Sequence, residues 1–74
     1  MSELTWGDTV RVRTGAPEVA RPGCVAEVVG IREIETAAQA RQFAATIGSR
    51  VYLVEFGHGE SLEVPEAWIE PAGT

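Results

Sequence analysis

The chain has 74 residues, a hydrophobic fraction of 45% and a formal net charge of −5, which fit one small domain over residues 1–74. It has no apolar run of the length of a signal peptide or a membrane span, and Cys24 is its single cysteine, so we expect a cytoplasmic protein without an internal disulfide. The acidic balance disfavours nucleic acid and gives no reason to expect a membrane partner, because phosphate binding needs surplus lysine and arginine.

The first predicted strand is Thr9–Arg13, where Val10 and Val12 alternate with arginines. This alternation is typical of a strand with one face in the core and the other in water. Gly7-Asp8 precedes the strand as a turn. Residues 14–22 contain a glycine and two prolines and show no periodicity, which predicts a loop.

The second predicted strand is Cys24–Ile31, and its side chains change direction partway along it. Glu27 should face water, which points Ala26 and Val28 to the core. Gly30 is the natural position of a β-bulge, because the residues around it break the strict alternation. We therefore expect a strongly bent strand, whose first residue, the cysteine, is a half-buried structural residue.

Residues 36–47 change to a helical period. Thr36 is the predicted N-cap, Gln39 completes a capping box three residues later, and Gly48 fits a left-handed C-cap. Four apolar residues at positions i, i+3, i+4 and i+7 form one stripe: Ala40, Phe43, Ala44 and Ile47. A helix of three turns is marginal alone, so the stripe must dock on another surface.

A β-hairpin is predicted from Val51–Phe56, the glycine-flanked turn 57–60 and Ser61–Val64. Glu55 sets the direction of the first strand, because its carboxylate needs water. The core-facing residues are then Tyr52, Val54, Phe56, Leu62 and Val64.

The opposite face of this hairpin carries Val51 and Leu53, which offer a surface for the helix. We expect Phe43 and Ile47 to cover them. The alternative is a homodimer contact through the same apolar surface.

The end of the chain predicts a short 3₁₀ turn at residues 65–68 and a last strand at Ile69–Pro71. Together the pattern has five short strands and one helix inserted before the third. We therefore predict a mainly β fold, a small partly open barrel of the SH3 type with a helix at about residues 36–47.

Charge is unevenly distributed along the sequence. Residues 1–50 hold six arginines and six acidic residues, whereas residues 51–74 hold five glutamates and no lysine or arginine. We predict a partner-binding surface on the hairpin and tail that attracts a basic protein. Its residues are Glu55, Glu60, Glu63, Glu66 and Glu70, with Trp68 as an aromatic anchor. The alternative for Trp6 and Trp68 is structural packing across an end of the barrel.

Catalysis and metal binding have little support in the sequence. His58 is the only histidine and lies in the tight turn Gly57-His58-Gly59, where an exposed loop residue is the default and a pH-sensitive contact the alternative. Cys24 with His58 is the only conceivable nucleophile–base pair. We expect no enzymatic activity, no metal site and no cofactor, because neither a calcium-type loop nor a phosphate-binding glycine motif is present.

Several motifs resemble a known family: Trp6-Gly7-Asp8-Thr9-Val10-Arg11-Val12, Arg21-Pro22-Gly23, Val28-Val29-Gly30-Ile31, Tyr52-Leu53-Val54-Glu55-Phe56-Gly57-His58-Gly59 and Val64-Pro65-Glu66. Over roughly residues 6–71 the chain resembles the immunity protein 31 family of bacterial polymorphic-toxin systems. It is also similar to the C-terminal barrel of the nitrile hydratase β-subunit, although it lacks that subunit's N-terminal helical part.

The first resemblance implies a protein that binds and neutralises a toxin made by the same cell. The second implies an accessory module that rides on a larger metalloenzyme. Neither resemblance supplies a residue-level binding motif, so the predicted site rests on charge alone.

Overall fold

The computed structural model describes residues 4–72. Residues 1–3, on which the expectation of no signal peptide partly rests, and residues 73–74 lie outside the described range. The strands are β1 (Thr9–Val12), β2 (Val25–Glu33), β3 (Arg50–Phe56), β4 (Ser61–Pro65) and β5 (Ile69–Pro71). The helix α1 spans Ala37–Phe43, and two 3₁₀ turns cover Glu18–Ala20 and Glu66–Trp68.

The five strands form one antiparallel sheet in the order β4-β3-β2-β1-β5. Consecutive strands β1 to β4 are neighbours, and β5 returns to pair with β1, Arg11 opposite Glu70. Strands β4 and β5 are the two edges of the sheet, which is not closed into a barrel. The predicted mainly β, partly open arrangement with one helix is confirmed.

The main core lies on one face of the sheet, where the alternation of β1, β2, β3 and β4 directs apolar side chains. Val10, Val54 and Val64 are fully buried. The predicted inward residues Ala26, Val28, Tyr52 and Phe56 are also buried, and Leu62 is partly buried against them. The period of two therefore predicted this core correctly.

The bend in β2 lies at the predicted position. The register with β3 shifts between Val28 and Gly30, which pair with Val54 and Leu53. A Cβ atom on Gly30 would lie 3.2 Å from the Cβ of Leu53, tighter than ordinary side-chain contacts. Glycine thus lets the two strands approach closely at the bulge.

A second, smaller apolar cluster lies on the other face of the sheet, where α1 docks. It consists of Ile34, Phe43 and Val51, with Ala40 and Ala45 packed against it. Docking through Phe43 over Val51 was predicted correctly. The expected contribution of Ile47 is wrong, because that side chain is 61% exposed.

The helix is shorter than predicted because the chain turns at Ala44. This residue is left-handed (φ 53°), and its N–H donates to the carbonyls of Ala40 and Arg41. The N–H of Ala45 also donates to the carbonyl of Ala40 at 2.8 Å, which completes a left-handed C-terminal cap. Gly48 has the predicted positive φ but lies in the turn before β3.

The N-cap of α1 is as predicted. The N–H of Gln39 donates to the Thr36 hydroxyl at 3.1 Å. The Gln39 side chain accepts a hydrogen bond from the N–H of Glu35, one residue before the cap. The second hydrogen bond of the capping box, from Gln39, therefore goes to the N–H of the residue before the N-cap rather than to that of Thr36.

Two further predictions need correction. Cys24 is exposed and precedes β2, whereas the sequence predicted a half-buried strand residue. Trp6 does not close an end of the sheet, because it is 65% exposed. Trp68 is partly buried against the main core, in agreement with the structural alternative for that residue.

Candidate functional site

The five glutamates of the C-terminal segment do not form one acidic surface. Three of them, Glu60, Glu63 and Glu70, form ion pairs with arginines from the first half of the chain. A fourth, Glu66, accepts a hydrogen bond from the backbone N–H of Arg50 at 2.7 Å. The charge surplus of the segment is therefore largely offset where the chain folds back on itself.

Arg32 on β2 binds Glu63 on β4, reaching over the strand β3 that lies between them. The guanidinium Nε and Nη2 atoms donate to the two carboxylate oxygens at 2.6 and 3.0 Å. This bidentate geometry lowers the pKa of Glu63 and raises that of Arg32, chiefly through the hydrogen bonds. The same guanidinium lies 5.9 Å from the centre of the Phe43 ring, so it also contacts the docked helix.

Glu60 joins the turn between β3 and β4 to the loop before β2. Its Oε1 accepts a hydrogen bond from Arg21 Nε at 2.5 Å and lies 3.1 Å from His58 Nε2. The bond from Arg21, followed by the contact with His58, lowers the pKa of Glu60 to about 2. The bond to Glu60 raises the pKa of Arg21.

Glu70 and Trp68 lie beside an open cleft of about 450 Å³, which is lined on its other side by residues 11–16. Arg13 crosses this cleft, since its Nε donates to the Ile69 carbonyl at 3.2 Å and its Nη1 lies 3.7 Å from Glu70. Trp68 packs against the main core with part of its surface exposed. Only this last feature fits the predicted anchor role.

Glu55 is exposed and has no ion pair or side-chain hydrogen bond within residues 4–72, whereas Glu66, also without an ion pair there, accepts a backbone hydrogen bond. It lies on the outer face of β3, directly opposite Glu27 of β2. In the same row of the sheet the flanking residues are Thr9 and Ser61, neither of them charged. Like charges directly opposite each other in a sheet are destabilising.

A shallow cleft of about 420 Å³ adjoins the two glutamates. Its lining includes Val25, an apolar residue that is 45% exposed, and the glycines of the β3–β4 turn. We call Glu27, Glu55 and Val25 the outer-face patch. It combines two carboxylates with an exposed apolar side chain on the sheet.

Glu27 was not among the predicted site residues. Its outward direction followed from the alternation of Ala26, Glu27 and Val28, and that of Glu55 from the hairpin pattern. The sequence did not give the register of β2 against β3, because the bulge at Gly30 shifts that register. Counting charges along the chain gave equal weight to residues that folding pairs with arginine.

The described residues offer little for other chemistry. Within residues 4–72 no group of three or more histidine, cysteine, aspartate and glutamate side chains is placed to hold a metal ion. The hydrogen bond of His58 goes to Glu60 rather than to Cys24. None of the helices in the described range has the length and apolar character needed to cross a membrane.

Comparisons with protein-family models, with curated proteins and with solved structures found no match. Both resemblances drawn from the sequence motifs therefore stay predictions.

Proposed function

We propose that this protein acts by stoichiometric binding to a basic protein partner, and that the partner is a toxin domain which it neutralises. The outer-face patch is the contact surface in this proposal. The resemblance to the immunity protein 31 family suggests the class of partner. The negative charge of the patch suggests that the partner's contact surface is positively charged.

The observation that carries the proposal is the placement of Glu55 opposite Glu27. Folding alone gives no reason to put two carboxylates side by side on an exposed sheet face, since each raises the free energy of the other. A lysine or arginine of a partner would remove this repulsion on binding. The neighbouring Val25 adds apolar area that a partner would cover.

The test is a binding measurement with the protein encoded beside this chain in its source genome. We expect a one-to-one complex that inhibits the partner's activity. The double variant Glu27→Gln, Glu55→Gln should weaken binding on the order of tenfold, because each lost surface ion pair contributes up to about 1 kcal/mol. Its affinity should also depend less steeply on salt.

The matched control is Glu18→Gln with Glu35→Gln. Both residues are exposed and neither lines the cleft beside the outer-face patch, and the control variant has the same net charge as the test variant. It should change the affinity less than twofold. Equal losses in the two variants would show that net charge, not this patch, governs binding, and an unchanged affinity in the test variant would reject the patch.

The second candidate is an accessory module that docks on a larger enzyme of the nitrile hydratase type. The observation that favours it is Trp6, which is 65% exposed beside a cleft of about 530 Å³ containing Leu4 and Ile31. Exposed tryptophans are frequent anchors in protein interfaces. If Trp6→Ala abolishes binding to a hydratase subunit while the Glu27→Gln, Glu55→Gln variant binds normally, this candidate replaces the first.

A further inference from the structure

Three side chains from two distant segments meet at one carboxylate oxygen. Glu60 Oε1 lies 2.5 Å from Arg21 Nε and 3.1 Å from His58 Nε2. His58 is further positioned by stacking on Phe56, with ring centres 6.0 Å apart and planes inclined by 21°. The imidazole is thus placed where a change in its charge acts on the Arg21–Glu60 pair.

We propose that Arg21, Glu60 and His58 form a pH-responsive latch, in which protonation of His58 loosens the hold of Glu60 on the Arg21 side chain. A neutral imidazole shares the carboxylate oxygen without repelling the guanidinium. An imidazolium attracts the carboxylate and repels the guanidinium, so the two cations compete for one oxygen.

Arg21, whose side chain binds Glu60, itself has an unfavourable backbone conformation. Arg21 is in the left-handed region (φ 62°), which is costly for a residue with a Cβ. Its N–H donates to the Glu18 carbonyl and its carbonyl accepts from the N–H of Cys24. The preceding 3₁₀ turn exposes 73% of Val19. The same turn buries Ala20 in the main core, and the N–H of Gly23 donates to the Val12 carbonyl, so the loop backbone stays attached to the sheet. Weakening the contact with Glu60 therefore frees the Arg21 side chain rather than the whole loop.

The other ionisable groups near the latch are one thiol and two carboxylates. Cys24 lies near Arg21 on the loop, and Glu27 and Glu55 line the cleft formed with Gly57 and Gly59 of the turn. Carboxyl groups ordinarily titrate near pH 4 and thiols near pH 8.5. Histidine is the residue type whose charge ordinarily changes near neutral pH.

The test is an NMR titration of the free chain between pH 5 and 8 that follows the His58 imidazole and the Arg21 Nε–H. Coupling between two sites is reciprocal, so each partner must alter the proton affinity of His58. Arg21→Gln should raise the titration midpoint of His58, and Glu60→Gln should lower it. We expect each shift to be on the order of 0.3 pH unit, a twofold change in proton affinity.

The control is Arg32→Gln, which breaks the equivalent pair with Glu63 elsewhere on the surface. It should leave the His58 midpoint in place. In the wild-type chain the Arg21 Nε–H signal should move with the His58 titration, and in His58→Gln it should not. Unshifted midpoints in both Arg21→Gln and Glu60→Gln, or an Arg21 signal that titrates identically without His58, would overturn the latch.

Discussion

At the scale of single residues, Glu55 shows how one carboxylate can serve two roles. Its need for water sets the direction of β3, so that Val54 and Phe56 on either side point into the core. The same outward direction places it opposite Glu27, where it meets a like charge. The residue that helps to specify the fold therefore also faces an unfavourable like-charge neighbour.

Glu55→Gln should accordingly stabilise the free protein. Removing one of two facing charges is expected to raise the free energy of unfolding by about 0.2–1 kcal/mol at low salt. Urea unfolding at neutral pH measures the change, and added salt should reduce it. Glu18→Gln, which also removes one exposed carboxylate, is the control and should give a smaller gain. A loss of stability in Glu55→Gln would mean that this carboxylate has a favourable interaction in the fold.

At the scale of elements, α1 shows the limit of a periodic pattern. Apolar spacing predicted a stripe through Ile47, but the helix ends at Phe43 and the chain reverses at Ala44. Ending there brings Ala45 onto the cluster of Phe43 and Val51, which a continued helix would not do. Packing of this short segment therefore outweighs the local preference for a longer helix.

Phe43→Ala should cost about 3–5 kcal/mol of unfolding free energy, because it removes the aromatic ring from the smaller cluster. Ile47→Ala should cost less than about 0.5 kcal/mol, since that side chain is exposed. Chemical denaturation of the two variants provides the comparison. Equal effects would indicate that α1 extends to Ile47 in solution and docks through both residues.

At the scale of the whole molecule, ion pairs connect the two halves of the sequence. Arg21, Arg32 and Arg13 reach Glu60, Glu63 and Glu70, so cations of the first half meet carboxylates of the second. These contacts link the loop between β1 and β2, through Arg13 and Arg21, and the end of β2 to the β3–β4 turn, β4 and β5. They explain why a segment without any cation does not form a uniformly acidic face.

These pairs predict a loss of stability in acid. The pKa of Glu60 is lowered from 4.5 to about 2 and that of Glu63 is also lowered, both by hydrogen bonds from arginine. Because the folded-state pKa lies below the unfolded value, their contribution is fully present above about pH 4.5 and disappears as the pH falls toward 2.

Urea midpoints measured at pH 7, 4 and 2.5 should therefore decrease, and Glu60→Gln with Glu63→Gln should decrease less over the same interval. Both carboxylates are solvent-exposed, so the difference will be modest. If the double variant and the parent lose stability in parallel, other carboxyl groups control the acid transition.

The sequence alone determined the local features of this protein. Alternation of apolar and polar residues specified which side chains of β1 to β4 enter the core, Gly30 marked the bulge, and Thr36 marked the start of α1. Each of these signals depends on neighbours a few residues apart, which the sequence displays directly.

Only the tertiary structure decided which charges meet. The register of β2 against β3 placed Glu27 beside Glu55, and the return of the C-terminal strands placed three glutamates beside arginines. Electrostatic energy depends on distance in space, and a count of charges along the chain has no access to that distance. The end of α1 also depends on contacts in space, because Phe43 and Ala45 pack against Val51 of β3. The apolar spacing within residues 36–47 could therefore not locate it.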